Sequence, residues 1–267
     1  MKLGFIGTGN LATAVIKGVL SVGTADSKDV YIYDINTEKT AAMSADFGVN
    51  VLPTAKAVAA ACDVVTVAVK PKDIAALFGE ISEELVANDP LVISTAAGTT
   101  LDYMSSLLPV EPRLVRIMPN INAAVGQAMT AYCATKRVGK NDLDFVDRFC
   151  SSFGKAMPLD EKFFSVFTAE AGSAPAFVYL FIDALAKASE RHGLTREQAL
   201  QIAVQTVYGS AMMIDKSGED PGALAVKVCS PGGTTIEGVA ALKEHNLDEM
   251  LIDAVDRTAQ KDKKLQK

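Results

Sequence analysis

The stretch LGFIGTGNLATAV, residues 3–15, constrains the fold more than any other part of the chain. An apolar run ends at Gly7, a second glycine follows at Gly9, and Ala12 completes a GxGxxA spacing at the start of a helical pattern. Glycines at these places let the chain turn tightly from strand into helix. They also let backbone N–H groups approach a pyrophosphate at the positive helix end, while Ala12 permits close helix packing. The next apolar run, VYIYD, ends in Asp34, where a carboxylate hydrogen-bonds the ribose 2′-hydroxyl of NAD and repels the 2′-phosphate of NADP. Strand, glycine loop, helix and acid together predict a dinucleotide site that leans to NADH over NADPH. Asn36, Thr37 and Lys39 would receive a phosphate if Asp34 turned away, and a turn role beside Asn36 is the competing reading of Asp34.

The same alternation continues. LGFIG, VYIYD, DVVTVAV, PLVIST and RLVRIM are short apolar runs separated by helix-period segments, the pattern of a mostly parallel sheet with helices on both faces. MTAYCAT and KAMPLD extend its far edge, and after Asp160 the strand signal stops. The expected organisation is therefore α/β: a Rossmann-type dinucleotide-binding domain over 1–160, then an all-helical domain over 161–267. Gly193 ends the first long helix of that domain, and Thr195 with Gln198 forms an S/T-x-x-E/Q start for the next. APAFVYLFIDALA is apolar almost all round. Either a second subunit buries it, giving an interlocked dimer, or it is a central helix buried within one subunit. The lysine-rich tail QKDKKLQK reads as a frayed end.

Composition narrows the function classes. Of 267 residues 49% are hydrophobic, enough for a full core, and a net charge of −6 without a basic stripe argues against nucleic acid. The N-terminus has Gly and Asn where a secretory segment needs unbroken apolar residues, and no apolar run reaches the ~20 residues of a spanning helix. A cytoplasmic protein is expected. Cys62, Cys133, Cys150 and Cys229 lie far apart with no CxxC pair, which fits buried reduced thiols better than disulfides or a metal site. Cys229 borders a second glycine loop and is kept as a neighbour of a site.

VAVKP (67–71) and STAAG (94–98) each end a strand, so Ala68, Lys70, Ala96 and Gly98 fall at the C-terminal sheet edge, where ligands of open α/β sheets bind. Small residues there leave room for a nicotinamide ring, Pro71 fixes an extended backbone before it, and RIMPNIN adds Pro119 and Asn120 at another strand end. The two histidines, His192 in ERHG and His245 in KEHN, sit at helix ends and read as surface groups. The chain also lacks the Lys and Asn, one helical turn apart, that β-hydroxyacid dehydrogenases carry on the corresponding helix. A reaction needing a strong side-chain base is therefore disfavoured. A cyclic imine needs none, because its nitrogen is protonated near neutral pH before hydride arrives, and positioning suffices. VCSPGGTTIEG (228–238) supplies a helix N-terminus with two glycines, two threonine hydroxyls and no preceding strand, a cradle for a small carboxylate. A capped helix start explains the Thr and Pro but not the paired glycines.

Taken in order, GFIGTGNLA, VAVKP, STAAG, RIMPN, GSAPAFVY and PGALAVKVCSPGGTTIEGVAALKE resemble the motifs of the pyrroline-5-carboxylate reductases over the whole chain. The resemblance implies an oxidoreductase that reduces 1-pyrroline-5-carboxylate to L-proline with NADPH or NADH. It also implies a helical domain that dimerises, in some members within a ring of dimers. It would place Gly7, Gly9, Asn10 and Leu11 at the pyrophosphate. Ala68, Lys70 and Pro71 would lie on the adenosine and ribose side, and Ala96, Ala97, Gly98 and Asn120 on the nicotinamide side. Ser230, Gly232, Gly233, Thr234 and Thr235 would hold the substrate carboxylate, with the Thr235 hydroxyl near the ring nitrogen and Val228 packed on the ring. Each site would then combine one chain's dinucleotide domain with the partner's glycine loop. The chain departs from the family's Ser-Gly-Ser-Gly-Pro-Ala-Tyr at Ala171, Ala174 and Phe177, and Glu170 is unusual. The alternatives are a reductase of another cyclic imine or small oxo acid, or a non-catalytic dinucleotide-binding dimer.

Overall fold

The computed structural model describes residues 1–266. Among them are the strands β1 (Leu3–Ile6), β2 (Val30–Tyr33), β3 (Asn50–Val51), β4 (Val64–Val67), β5 (Leu91–Ser94), β6 (Leu114–Met118), β7 (Ala128–Ala134) and β8 (Gly154–Pro158). They form one sheet in the order β3-β2-β1-β4-β5-β6-β7-β8. Strands β1 to β6 pair in parallel, β7 runs antiparallel to β6, and β8 is parallel to β7. The order reverses between β1 and β4, and that reversal opens the crevice at the carboxyl ends of the strands where a dinucleotide lies in this class of sheet.

Every residue of β1, β4 and β5 is buried, as a parallel sheet covered on both faces requires. The covering helices are α1 (Asn10–Ser21), α2 (Thr37–Phe47), α3 (Ala55–Ala61), α4 (Ile74–Asn88), α5 (Leu101–Ser106) and α6 (Lys140–Ser151). Alternation along β1 sends Leu3 and Phe5 into one core layer with Ile16 and Phe149, and Ile6 into the other with Phe78 and Ile81. α1 buries Ala12, Val15, Ile16 and Val19, an i, i+3, i+4, i+7 stripe that lays it flat on the sheet. Phe5, Phe145 and Phe153 each pack on Phe149 with ring centroids 5.8 to 6.3 Å apart, and so fasten α6 to the sheet.

The remaining helices are α7 (Phe164–Phe167), α8 (Ala174–Arg191), α9 (Arg196–Ser217), α10 (Pro221–Val228), α11 (Thr234–Glu244) and α12 (Leu247–Leu265). The chain packs as two compact units, Met1–Gly172 with the stretch from Thr258 onward, and Ser173–Arg257. Packing carries the first unit past residue 160, the end of the expected dinucleotide domain, for a physical reason. Phe164 and Phe167 cluster with Ala131 of β7, so the first helical turns belong to the sheet unit. The end of α12 packs in the same unit, with Asp262 only 9% exposed, so the tail as far as the described Gln266 is not a frayed end; the last residue lies outside the described residues.

In the second unit α8 and α9 meet through the small side chains Ala186, Ala199 and Ala203. Thr195 and Gln198 cap α9 reciprocally as predicted, at 3.2 and 3.1 Å, and Gly193 follows the end of α8 with φ of +96°. Ala186 is the buried residue of α8, whereas Val178, Tyr179, Leu180, Phe181 and Leu185 are exposed. The reading of α8 as a helix buried within one subunit is therefore wrong. The helical run Glu161–Arg191 is long and apolar enough, by length and composition alone, to cross a membrane, contrary to the expectation that no such stretch exists. It passes only as a composite of α7, a π-helical turn and α8, and α8 carries Asp183 paired with Lys187 and Arg196.

Candidate active site

The first glycine loop joins the ends of three strands. Gly7 donates its N–H to the Tyr33 carbonyl at 2.8 Å, and Ala68 donates to the Ile6 carbonyl at 2.8 Å, which draws the loop after β4 against it. Gly7 has φ of +99°, and a Cβ there would stand 2.6 Å from the Ala68 carbonyl oxygen. Only glycine fits both the dihedral and the space. Gly9 differs, with φ of −71° and nothing within 4 Å of a Cβ position. It opens α1 without any side-chain cap, so the first-turn N–H groups, beginning with exposed Asn10 and half-buried Leu11, face open space. An uncapped helix start of this kind suits an anion.

Asp34 was expected to read the ribose. Its carboxylate also has partners within the loop: Oδ2 accepts the Thr8 N–H at 2.7 Å and the Thr8 hydroxyl at 2.9 Å, and Oδ1 accepts the Asn36 N–H at 2.9 Å. Burial alone would raise its pKa, but the bonds from Asn36 and Thr8, with Lys39 nearby, outweigh burial and hold it below the ordinary value. Three of roughly four acceptor positions are used, so Asp34 ties the glycine loop to β2 and still presents a charge at that strand end. Ile35 beside it is 90% exposed.

The next two loops carry the other predicted residues. Lys70 is exposed and extended at φ −66°, and Pro71 starts a short 3-10 turn before α4. After β5, Ala96 is buried, Ala97 exposed and Gly98 half-buried with φ of +69°. Asn120 is buried and its amide is committed, donating to the Ala171 carbonyl at 2.8 Å and accepting the Asn122 N–H at 3.2 Å. It is thus a strut between the end of β6 and the π-helical turn Thr168–Ser173 that holds the unusual segment. Arg116, which the sequence patterns left unassigned, is 1% exposed. It donates to Glu161 Oε1 at 2.8 Å and lies 4.5 Å from the Phe164 ring centre. The same Glu161 oxygen accepts the Leu101 N–H at 2.9 Å, so this pair of buried Arg116 and half-buried Glu161 fastens the far end of the loop after β5.

The second glycine loop lies in the helical unit. α10 ends at Val228, which is exposed, and a turn closes with the Gly233 N–H donating to the Ser230 carbonyl at 2.9 Å. Gly232 adopts φ of +70° with open space around it, and Gly233 opens α11 with no side-chain cap. Helices α2, α3, α5, α9 and α10 are each capped by Asn36, Thr54, Thr100, Thr195 or Asp220. α6, also opened by a glycine, has the Asp142 carboxylate on the Gly139 N–H at 3.1 Å. The two helices whose glycine entries are left open, α1 and α11, are those the sequence marked for anions. Thr234 and Ser230 stand exposed at this entry and Thr235 half-buried.

Among the described residues, the histidines and the buried cysteines offer no competing reactive chemistry. His192 and His245 are exposed caps at the C-termini of α8 and α11. Burial pushes the Cys62 and Cys133 thiols up to about 12 and raises Cys150 as well, so these are packing groups. Among the described residues no cluster of His, Cys, Asp and Glu could hold a metal.

Comparison with known proteins agrees with this geometry. Residues 161–265 match a family described as pyrroline-5-carboxylate reductase dimerisation, and residues 2–98 one described as NADP oxidoreductase, coenzyme F420-dependent. The pyrroline-5-carboxylate reductase of Escherichia coli K12 is 38% identical over 100% of this chain and 98% of its own length. The solved pyrroline-5-carboxylate reductase of Coxiella burnetii superimposes with a TM-score of 0.95 at 31% identity, covering 100% of this chain and 98% of that one. That of Plasmodium falciparum, determined with NADP bound, gives 0.89 at 28% identity, with coverage of 100% and 98%. With both glycine loops, the sheet order and full-length identity in agreement, this chain belongs to the pyrroline-5-carboxylate reductase family.

Proposed function

We propose that this protein reduces 1-pyrroline-5-carboxylate to L-proline in the cytoplasm, using NADH in preference to NADPH, as a homodimer built through its helical unit. The observation that carries this reading is the pair of glycine-opened helices, α1 and α11, left without side-chain caps in a full-length member of the family. When bound, the reduced nicotinamide supplies the hydride that adds to the imine carbon. The protein's share is positioning. Gly7, Gly9, Asn10 and Leu11 receive the pyrophosphate; Ala68, Lys70 and Pro71 border the adenosine and ribose, and Ala96, Ala97 and Gly98 the nicotinamide. Asn120 supports that side by bracing Ala171. On α11 the N–H groups after Gly232 and Gly233, with Ser230 and Thr234, hold the carboxylate, and Val228 offers an apolar face to the ring. The Thr235 hydroxyl oxygen accepts from the protonated ring nitrogen, so the positive charge there is steadied while the carbon is attacked.

The lean to NADH rests on charge. Asp34, held ionised by Thr8 and Asn36, keeps a negative group at the end of β2 that a 2′-phosphate must approach. The dimer rests on the exposed side chains of α8, each worth about 1.5–3 kcal/mol when buried. The substrate role is tested with Thr235→Ala and Thr235→Ser. The alanine variant should lose about 10²-fold in kcat/KM for the imine at unchanged KM for NADH, with the serine variant recovering most of it. Full activity in Thr235→Ala would remove the assigned role, and absence of turnover in the parent protein would favour a non-catalytic dinucleotide-binding dimer.

A further inference from the structure

The last turn of α12 lies against the loop that follows β5. A Cβ on Gly98 would stand 3.3 Å from the Leu265 carbonyl oxygen and 3.9 Å from the Gln266 nitrogen. The turn is held there by a buried polar cluster. Asp262, 9% exposed, accepts the Ser165 hydroxyl at 2.8 Å and the Gln266 side-chain amide at 3.0 Å. The same amide lies 2.7 Å from Ser165 Oγ, and the Gln266 N–H closes the last turn onto the Asp262 carbonyl at 3.1 Å. Ser165 is itself 2% exposed.

A carboxylate rarely goes this deep unless hydrogen bonds and geometry require it. Here it sits in a run of exposed lysines, Lys261, Lys263 and Lys264, where helix propensity alone gives no reason to turn an acid inward. Its effect is to fix the Leu265 carbonyl against Gly98. The far end of the same loop is already fixed, because Glu161 accepts the Leu101 N–H. The loop after β5 is therefore held at two points, both reached through the segment 161–165.

We propose that Asp262, Ser165 and Gln266 form a latch that positions the Ala96–Gly98 loop for the nicotinamide end of the dinucleotide. They are positioning residues, acting through the Leu265 carbonyl and Gly98. The inference rests on the reading of Ala96–Gly98 as the nicotinamide side.

The test compares Asp262→Ala, Asp262→Asn, Gln266→Ala and, in parallel, Gly9→Ala. Each is assayed for KM of NADH, KM of the imine, and inhibition by ADP-ribose, which lacks the nicotinamide. Asp262→Ala should raise the KM for NADH about tenfold, while leaving the imine KM and the ADP-ribose inhibition constant within about twofold. Asp262→Asn keeps an acceptor oxygen for Ser165 and should stay near the parent. Gln266→Ala removes one donor without stranding a buried charge, so it carries the test if Asp262→Ala does not fold, with an expected rise of about threefold. A general loss of structure would weaken ADP-ribose and NADH alike, and that result would overturn the latch. So would unchanged NADH binding in Gln266→Ala and Asp262→Ala while Gly9→Ala weakens it. Should Gly9→Ala leave every constant unchanged, the dinucleotide assignment itself fails.

Discussion

Replacing Gly7 and Gly9 by alanine, one at a time, should produce opposite phenotypes although the residues are two apart in one motif. At Gly7 the φ of +99° costs an L side chain about 1–3 kcal/mol. The new Cβ would sit 2.6 Å from the Ala68 carbonyl oxygen and 2.8 Å from its carbon, backbone atoms that cannot swing aside. Overpacking of that kind adds about 1–3 kcal/mol. A midpoint of about 4 kcal/mol, at roughly 2–4 °C per kcal/mol for a chain of this size, lowers Tm by about 8–16 °C. At Gly9, φ −71° and ψ 176° suit alanine, and no atom lies within 4 Å of its Cβ. Alanine there should leave Tm unchanged or raise stability by about 0.4–1 kcal/mol through the unfolded chain. The methyl would project into the pyrophosphate cradle and weaken NADH binding at least about tenfold, or ~1.4 kcal/mol. Thermal unfolding followed by circular dichroism, with NADH titration followed by its fluorescence, reads both effects. A Gly7→Ala protein as stable as the parent would refute the close approach to Ala68, and a Gly9→Ala protein with full NADH affinity would refute the cradle.

Asp34→Asn keeps the shape but removes the charge, and should raise the NADPH-to-NADH ratio of kcat/KM at least about tenfold, ~1.4 kcal/mol. An unchanged ratio would show that the carboxylate does not read the ribose. Because Thr8 and Asn36 hold the Asp34 pKa below its ordinary 3.8, its contribution to stability is complete above that value and lost as pH falls through the lower folded one. Acid unfolding of Asp34→Asn should therefore be shallower than that of the parent in this range, and coincident acid curves would contradict the hydrogen bonds. Leu180→Glu on α8, where the leucine is 69% exposed in the single chain, should convert the dimer to monomer in sedimentation experiments. An unaffected dimer would place the interface elsewhere, and the parent's sedimentation would show whether dimers assemble further into a ring.

Much of the fold was legible because its causes are local. The GxGxxA turn, buried apolar strands and the Thr195–Gln198 cap each specify geometry within a few residues. The α11 entry was legible for the same reason, since paired glycines leave a helix start uncapped. What the sequence hid depends on distant partners. Asp34 meets Thr8 across 26 positions, Arg116 meets Glu161 across 45, and Ser165 meets Asp262 across 97. No periodicity records such pairings, so the lysine-rich tail read as frayed when its one acid, Asp262, is buried. The split by packing falls later in the chain than the helical domain's start at 161 for a similar reason. Phe164 and Phe167 carry helical signals but pack on β7.

The central claim is that this protein binds a dinucleotide at α1 and a small cyclic imine acid at α11 and transfers hydride from the first to the second. The purified protein mixed with pyrroline-5-carboxylate and either NADH or NADPH tests it directly, by loss of nicotinamide absorbance with parallel detection of L-proline. The account predicts one proline formed per dinucleotide oxidised, with higher kcat/KM for NADH. Dinucleotide that binds but is never oxidised by this imine would contradict it.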